Sequence, residues 1–145
     1  MNKFVAKYGQ ILLPLITPYD DNEDVSYSTY AELINYLEKN DLCDSFIVTG
    51  TTGEASLLTF DERVKLMETA VKASKTKPVI AGTGCASTKE TIEQCKMAEA
   101  AGADILSVIT PSFAKASQHE LIEHYTKVAE AVPSMPIVLY NIPMR

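Results

Sequence analysis

The sequence predicts an α/β fold: the N-terminal portion of a (β/α) barrel, with about five strands and four helices. Three observations carry this. Four helix-start signatures recur every 28 to 30 residues. A short apolar run precedes each of them, and a fifth run follows the last. Each run ends in a cluster of Gly, Thr, Pro, Tyr or Asn, residues suited to loops that approach a ligand.

The elements follow in order. The first strand is expected within Ile11–Ile16 and ends in Thr17-Pro18. Its helix is expected to start at the capping box Thr29-x-x-Glu32 and to present Tyr30, Leu33, Ile34 and Leu37 on one face. The second strand, Ser45–Val48, ends in Gly50-Thr51-Thr52-Gly53-Glu54. Thr59-x-x-Glu62 then opens a helix with Val64, Leu66, Met67 and Val71 inward. The third strand, Pro78–Ala81, ends in Gly82-Thr83-Gly84, and Ser87-x-x-Glu90 opens a helix with Ile92, Cys95, Met97 and Ala98. The fourth strand, Ile105–Ile109, ends in Thr110-Pro111. Ser117-x-x-Glu120 opens the last helix, with Leu121, Ile122, Tyr125, Val128 and Ala129. The fifth strand, Ile137–Tyr140, ends in Asn141-Ile142-Pro143.

A βα unit of about thirty residues makes a parallel sheet buried on both faces. A doubly wound sheet binds at one switch point, so few of its loops should be unusual. Here every strand end is unusual, which favours a barrel with its site at the C-terminal ends of the strands. Eight such units need roughly 250 residues. Residues 1–145 therefore read as the N-terminal part of a single barrel domain that stops before the sixth strand.

The net charge of −6 argues against nucleic acid or an anionic membrane as partner. No apolar run approaches the length of a membrane span and no leader is evident, so a cytoplasmic protein is expected. Cys43, Cys85 and Cys95 form no C-x-x-C pair and read as reduced structural thiols. Cys85 precedes a helix start, a position that can lower a thiol pKa. His119 and His124 read as solvent-side helix residues rather than metal ligands.

Gly50–Glu54 is the most informative segment. It is neither a P-loop nor a dinucleotide fingerprint. Two readings stand: a loop whose hydroxyls and amides hold a carboxylate or phosphate, or a tight turn bonding its own backbone. The same pair of readings holds for Gly82-Thr83-Gly84. Tyr140 is either a proton shuttle at the barrel mouth or a core aromatic.

Gly50-Thr51-Thr52-Gly53-Glu54-Ala55, Ala81-Gly82-Thr83-Gly84 and Tyr140-Asn141-Ile142-Pro143, in this order, resemble the dihydrodipicolinate synthase / N-acetylneuraminate lyase family. Thr17-Pro18, Thr110-Pro111 and Ser117-Gln118 are similar to it as well. The resemblance implies a (β/α)8 TIM-barrel fold and a Schiff-base aldolase or lyase, with the doubled threonine leaning towards the synthase of lysine biosynthesis. It implies pyruvate and an aldehyde-type small molecule as substrates, no metal or other cofactor, and a homo-oligomer, dimer or tetramer. It makes Tyr140 the proton donor and acceptor, with Thr51 relaying protons to it. Thr52, with nearby amides, would bind the pyruvate carboxylate, and Arg145 the carboxylate of the second substrate.

Two departures shape the expected activity. The synthase pattern Pro-Tyr-Tyr is Pro111-Ser112-Phe113 here, and Phe113 has no hydroxyl. That shifts weight towards another keto-acid aldolase, of the 2-keto-3-deoxy sugar acid or N-acetylneuraminate type. The imine-forming lysine belongs to a sixth strand, beyond Arg145, and no lysine here replaces it, so the chain by itself is expected to be inactive. A non-catalytic half-barrel that self-associates through its open edges is the alternative from a different class.

Overall fold

The computed structural model describes residues 3–112 and 115–142. Phe113, Pro143 and Arg145 lie outside them. Ten principal elements are described: α1 (Lys3–Tyr8), β1 (Leu12–Pro14), α2 (Tyr27–Lys39), β2 (Ser45–Val48), α3 (Phe60–Ala73), β3 (Val79–Gly82), α4 (Thr88–Ala100), β4 (Ile105–Ile109), α5 (Gln118–Ala131) and β5 (Ile137–Tyr140). A 3₁₀ turn, Ala55–Leu57, lies between β2 and α3.

The strands form one parallel sheet in the order β1-β2-β3-β4-β5. Chain order and sheet order coincide, with no reversal. That is the arc of a barrel and not a doubly wound sheet.

Successive strand residues point to opposite faces. Phe46, Val48, Val79, Ala81, Leu106 and Val108 join the main core with Tyr30, Ile34, Leu66, Met67, Cys95 and Val128 of the helices. Fully burying a side chain such as Phe46 contributes about 1.5–3 kcal/mol. Ile80 and Ile105 form a smaller cluster with Tyr8, flanked by Phe4, Leu12, Ile47 and Val138. Through Phe4 and Tyr8, α1 packs against this second cluster. It is pinned there by the Ser45 hydroxyl, which donates to the Tyr8 carbonyl at 2.5 Å. The Asp44 carboxylate accepts the next N–H groups, from Gln10 and Ile11, at 2.7 and 2.8 Å.

The capping boxes at Thr59 and Ser117 are complete. Ser87 accepts the Glu90 N–H at 3.2 Å, so the third start is also where it was expected. The first is not. The N-cap of α2 is Ser26, and Thr29 lies inside the helix, its hydroxyl 2.8 Å from that of Ser26. The chain returns through an antiparallel bridge between Tyr19 and Val25, and the Ser26 N–H then donates to the Pro18 carbonyl. That turn starts the helix early. The first strand is shorter than its apolar run, and Ile11 and Ile16 are exposed.

Two further expectations are corrected. His119 is exposed, but His124 is buried between α4 and α5, where its Nδ1 lies 2.9 Å from the Thr88 hydroxyl. Burial pushes its pKa down. Cys85 precedes α4 by three residues, and burial pushes its thiol pKa up despite the Arg63 guanidinium nearby. All three cysteines are free, Cys43 and Cys95 being buried. Among the described residues, no helix is long and apolar enough to cross a membrane.

The α3–β3 loop is tied to α2 by one carboxylate. Glu38 accepts the N–H groups of Lys75, Thr76 and Lys77 and the Thr76 hydroxyl. Partial burial would raise its pKa, but these four donors outweigh that and lower it. A depressed carboxyl pKa contributes stability above its unfolded value of about 4.3, which is lost as the pH falls through the folded value. Thermal melts should therefore weaken below about pH 4.3, and E38Q should lower the melting temperature near neutrality and reduce that acid dependence. Gly84 is equally constrained: a Cβ there would lie 2.5 Å from Ile109 Cγ2 and 2.8 Å from the Ile109 nitrogen. Gly84→Ala should cost about 1–3 kcal/mol in chemical denaturation, as overpacking does.

Candidate active site

The C-terminal ends of β2, β3, β4 and β5 surround a cavity of about 720 Å³. Thr51, Thr52 and Tyr140 all line it. Three of the four site residues expected from the sequence are thus brought to one place. Arg145, the fourth, lies outside the described residues.

The turn after β2 is built from both ends. Thr49 has φ +52° and Glu54 φ +54°, left-handed values that a β-branched threonine rarely adopts. Residues held in such regions cost of order 1–3 kcal/mol each. The Thr49 hydroxyl lies 2.7 Å from the Val48 carbonyl oxygen and 3.0 Å from that of Gly82. At the far end, the Thr17 hydroxyl donates to the Gly53 carbonyl at 2.6 Å. Within the turn, the Glu54 N–H donates to the Thr51 carbonyl and the Ala55 N–H to the Gly50 carbonyl. The carbonyls of Gly50, Thr51 and Gly53 are thereby used, whereas the amides of Thr51, Thr52 and Gly53 and the hydroxyls of Thr51 and Thr52 take no partner among the described residues. A tight turn bonding its own backbone through its threonines is not what is seen. Unpaired N–H groups in such a turn form a concavity suited to an anion.

The Gly82-Thr83-Gly84 segment divides its roles. Gly82 and Gly84 line the cavity. Thr83 is fully buried away from it, its hydroxyl 3.1 Å from the Cys95 sulfur. The glycines are needed for close approach: a Cβ on Gly82 would lie 2.5 Å from the Thr49 carbonyl oxygen.

The sequence reading missed Arg63. It is buried on α3, lines the cavity, and donates from Nη1 to the Cys85 sulfur at 3.5 Å. Its guanidinium lies 5.6 Å from the Phe60 ring centroid, and its buried Nε has no partner among the described residues. Helical spacing was the available signal, because Arg63 shares a face with Leu66, Met67 and Ala70. The Thr110 hydroxyl, at the end of β4, is likewise buried without a partner. Arg63 and Glu90 are the charged side chains lining the cavity among the described residues; no lysine does so. No group of three or more His, Cys, Asp or Glu capable of holding a metal occurs among the described residues.

Comparison with known proteins agrees with this geometry. A 4-hydroxy-tetrahydrodipicolinate synthase of Lachnoclostridium phytofermentans is 42% identical over 132 residues, covering 90% of this chain and 44% of the relative. A lysine-bound DHDPS from Cyanidioschyzon merolae superposes with a TM-score of 0.91 at 35% identity, covering 95% of this chain and 47% of that one. A chloride-inhibited dihydrodipicolinate synthase from Acinetobacter baumannii, complexed with pyruvate, gives a TM-score of 0.88 at 36% identity, with coverage of 94% and 47%. The chain spans about half the length of these relatives, and its five strands match the N-terminal part of their TIM barrel. Residues 7–145 match the dihydrodipicolinate synthetase family, and with the strand order and the free threonine turn in place, the chain belongs to that family.

Proposed function

We propose that the cavity binds pyruvate by its carboxylate and forms the acid–base half of a Schiff-base aldolase or lyase site. The observation that carries this is the turn after β2: the amides and hydroxyls of Thr51 and Thr52 are unpaired among the described residues, and both residues line the same cavity as Tyr140. Thr52 and the neighbouring amides bind the carboxylate. Thr51 passes protons to Tyr140, which exchanges them with the reacting carbon and oxygen; such general acid–base help is typically worth about 10²–10⁴-fold. Arg63 favours the same ligand class. A buried guanidinium without a counter-charge is costly, and an anion in the cavity lowers that cost. Arg145 would meet the carboxylate of the second substrate through its planar fork.

The covalent step needs a lysine amine, which attacks the keto carbon and expels water to form an imine. That lysine belongs, in this reading, to a sixth strand beyond Arg145. In this reading the protein acts in the cytoplasm, in lysine biosynthesis, condensing pyruvate with an aldehyde. Synthase relatives at about 42% identity support that substrate pair. Phe113 favours a second reading, a keto-acid aldolase acting on a 2-keto-3-deoxy sugar acid or N-acetylneuraminate, since its side chain offers no proton.

Three outcomes are expected. Borohydride with pyruvate should trap a covalent adduct in a protein that carries this chain and the sixth strand, and none in residues 1–145 alone; absence of the adduct in the longer protein would refute the imine. Calorimetric titration of residues 1–145 should show pyruvate binding that weakens about tenfold in T52V, as expected for one lost hydrogen bond to a charged group. Among the described residues the outer edges of β1 and β5 have no strand partner, and Leu139 is exposed, so light scattering should find residues 1–145 as a dimer or larger species. A well-folded monomer would count against homo-oligomerisation through these edges.

A further inference from the structure

Thr49 stands at the start of the turn that carries Thr51 and Thr52, and it lines the same cavity. It is buried, β-branched and left-handed, a combination the local chain does not favour. Its hydroxyl proton is shared between the Val48 carbonyl at 2.7 Å and, across the strands, the Gly82 carbonyl on β3 at 3.0 Å. Its own carbonyl sits where a Gly82 side chain would be, 2.5 Å from the position of that missing Cβ. Contacts in both directions therefore lock the end of β2 against β3. Thr17 holds the other end of the same turn through Gly53.

We infer that Thr49 is a positioning residue: its hydroxyl latch to Gly82 holds the left-handed bend that keeps the Thr51 and Thr52 hydroxyls unpaired and facing the cavity. The inference rests on the keto-acid reading for its consequence in binding, but not for its consequence in loop order. Without the latch, Thr49 relaxes to an ordinary φ. The turn then rotates, and the two hydroxyls can bond local backbone, as serine and threonine do in loops.

The test uses the 145-residue chain with ¹³C-labelled threonine methyl groups, inorganic buffer and pyruvate as the probe. T49V keeps the shape and removes the hydroxyl. T49A also removes the hydroxyl, keeps a Cβ that disfavours the left-handed angle, and serves if T49V does not fold. T49S keeps the hydroxyl and is the rescue. The hydroxyl-free variants should shift or broaden the Thr51 and Thr52 methyl signals and weaken pyruvate binding about tenfold, the loss of one well-placed hydrogen bond. T49S should retain both properties. A merely structural role would lower the melting temperature while leaving those two signals and the affinity in place. Unchanged signals in T49V and T49A, or an equal loss in T49S, would overturn the latch. If the unmutated chain binds no pyruvate, the keto-acid reading fails, and the methyl signals alone still decide the role of Thr49.

Discussion

The end of β2 lies so close to β3 that a methyl group on Gly82 would sit 2.5 Å from the Thr49 carbonyl oxygen. Much of the site follows from that contact. The chain leaves β2 there at a left-handed threonine, and Gly50, Thr51 and Thr52 then line the cavity. The magnitudes show why a latch is present. A left-handed non-glycine residue costs about 1–2 kcal/mol, and one intramolecular hydrogen bond returns about 0.5–1.5 kcal/mol. The bond that the Thr49 hydroxyl shares between the Val48 and Gly82 carbonyls roughly offsets the strain. Gly84 repeats the arrangement one strand further on, against Ile109.

Because the turn is held at Thr49 and at Gly53, its interior need not stabilise itself. Among the described residues the hydroxyls and amides of Thr51 and Thr52 and the amide of Gly53 take no partner. Groups of this kind, pre-oriented before a ligand arrives, lose little entropy on binding. Arg63 adds charge from the other side of the cavity, through a helix whose apolar face would otherwise have taken a hydrophobic residue. In the proposed reading, Arg63 and the unpaired amides outweigh Glu90 and let the cavity take an anion within a chain whose net charge is −6. Local arrangement, not overall charge, sets what the site accepts.

The strands were legible because a parallel strand buried on both faces is an apolar run with no competing helical period. β2, β4 and β5 coincide with their runs, Ser45–Val48, Ile105–Ile109 and Ile137–Tyr140. The start of α2 was misplaced because Thr29-x-x-Glu32 satisfies the capping pattern locally, whereas the Tyr19–Val25 bridge, a contact outside the pattern, delivers the chain at Ser26. α1 has only six residues and owes its place to Ser45 and Asp44, contacts more than thirty residues away. Thr51, Thr52 and Tyr140 were found from motif and strand end. Arg63 and Thr49 were not, since one reads as a surface cation and the other as the last residue of a strand. His124 shows the same limit: its face of α5 is decided by Thr88 on α4.

The account turns on a turn whose threonines are held free for a carboxylate. A crystal structure of the chain soaked with pyruvate tests this most directly. The carboxylate should lie within hydrogen-bonding distance of the Thr51 and Thr52 hydroxyls or amides, with Thr49 still left-handed against Gly82. A carboxylate bound elsewhere, or a turn whose hydroxyls are folded back onto their own backbone, would contradict it.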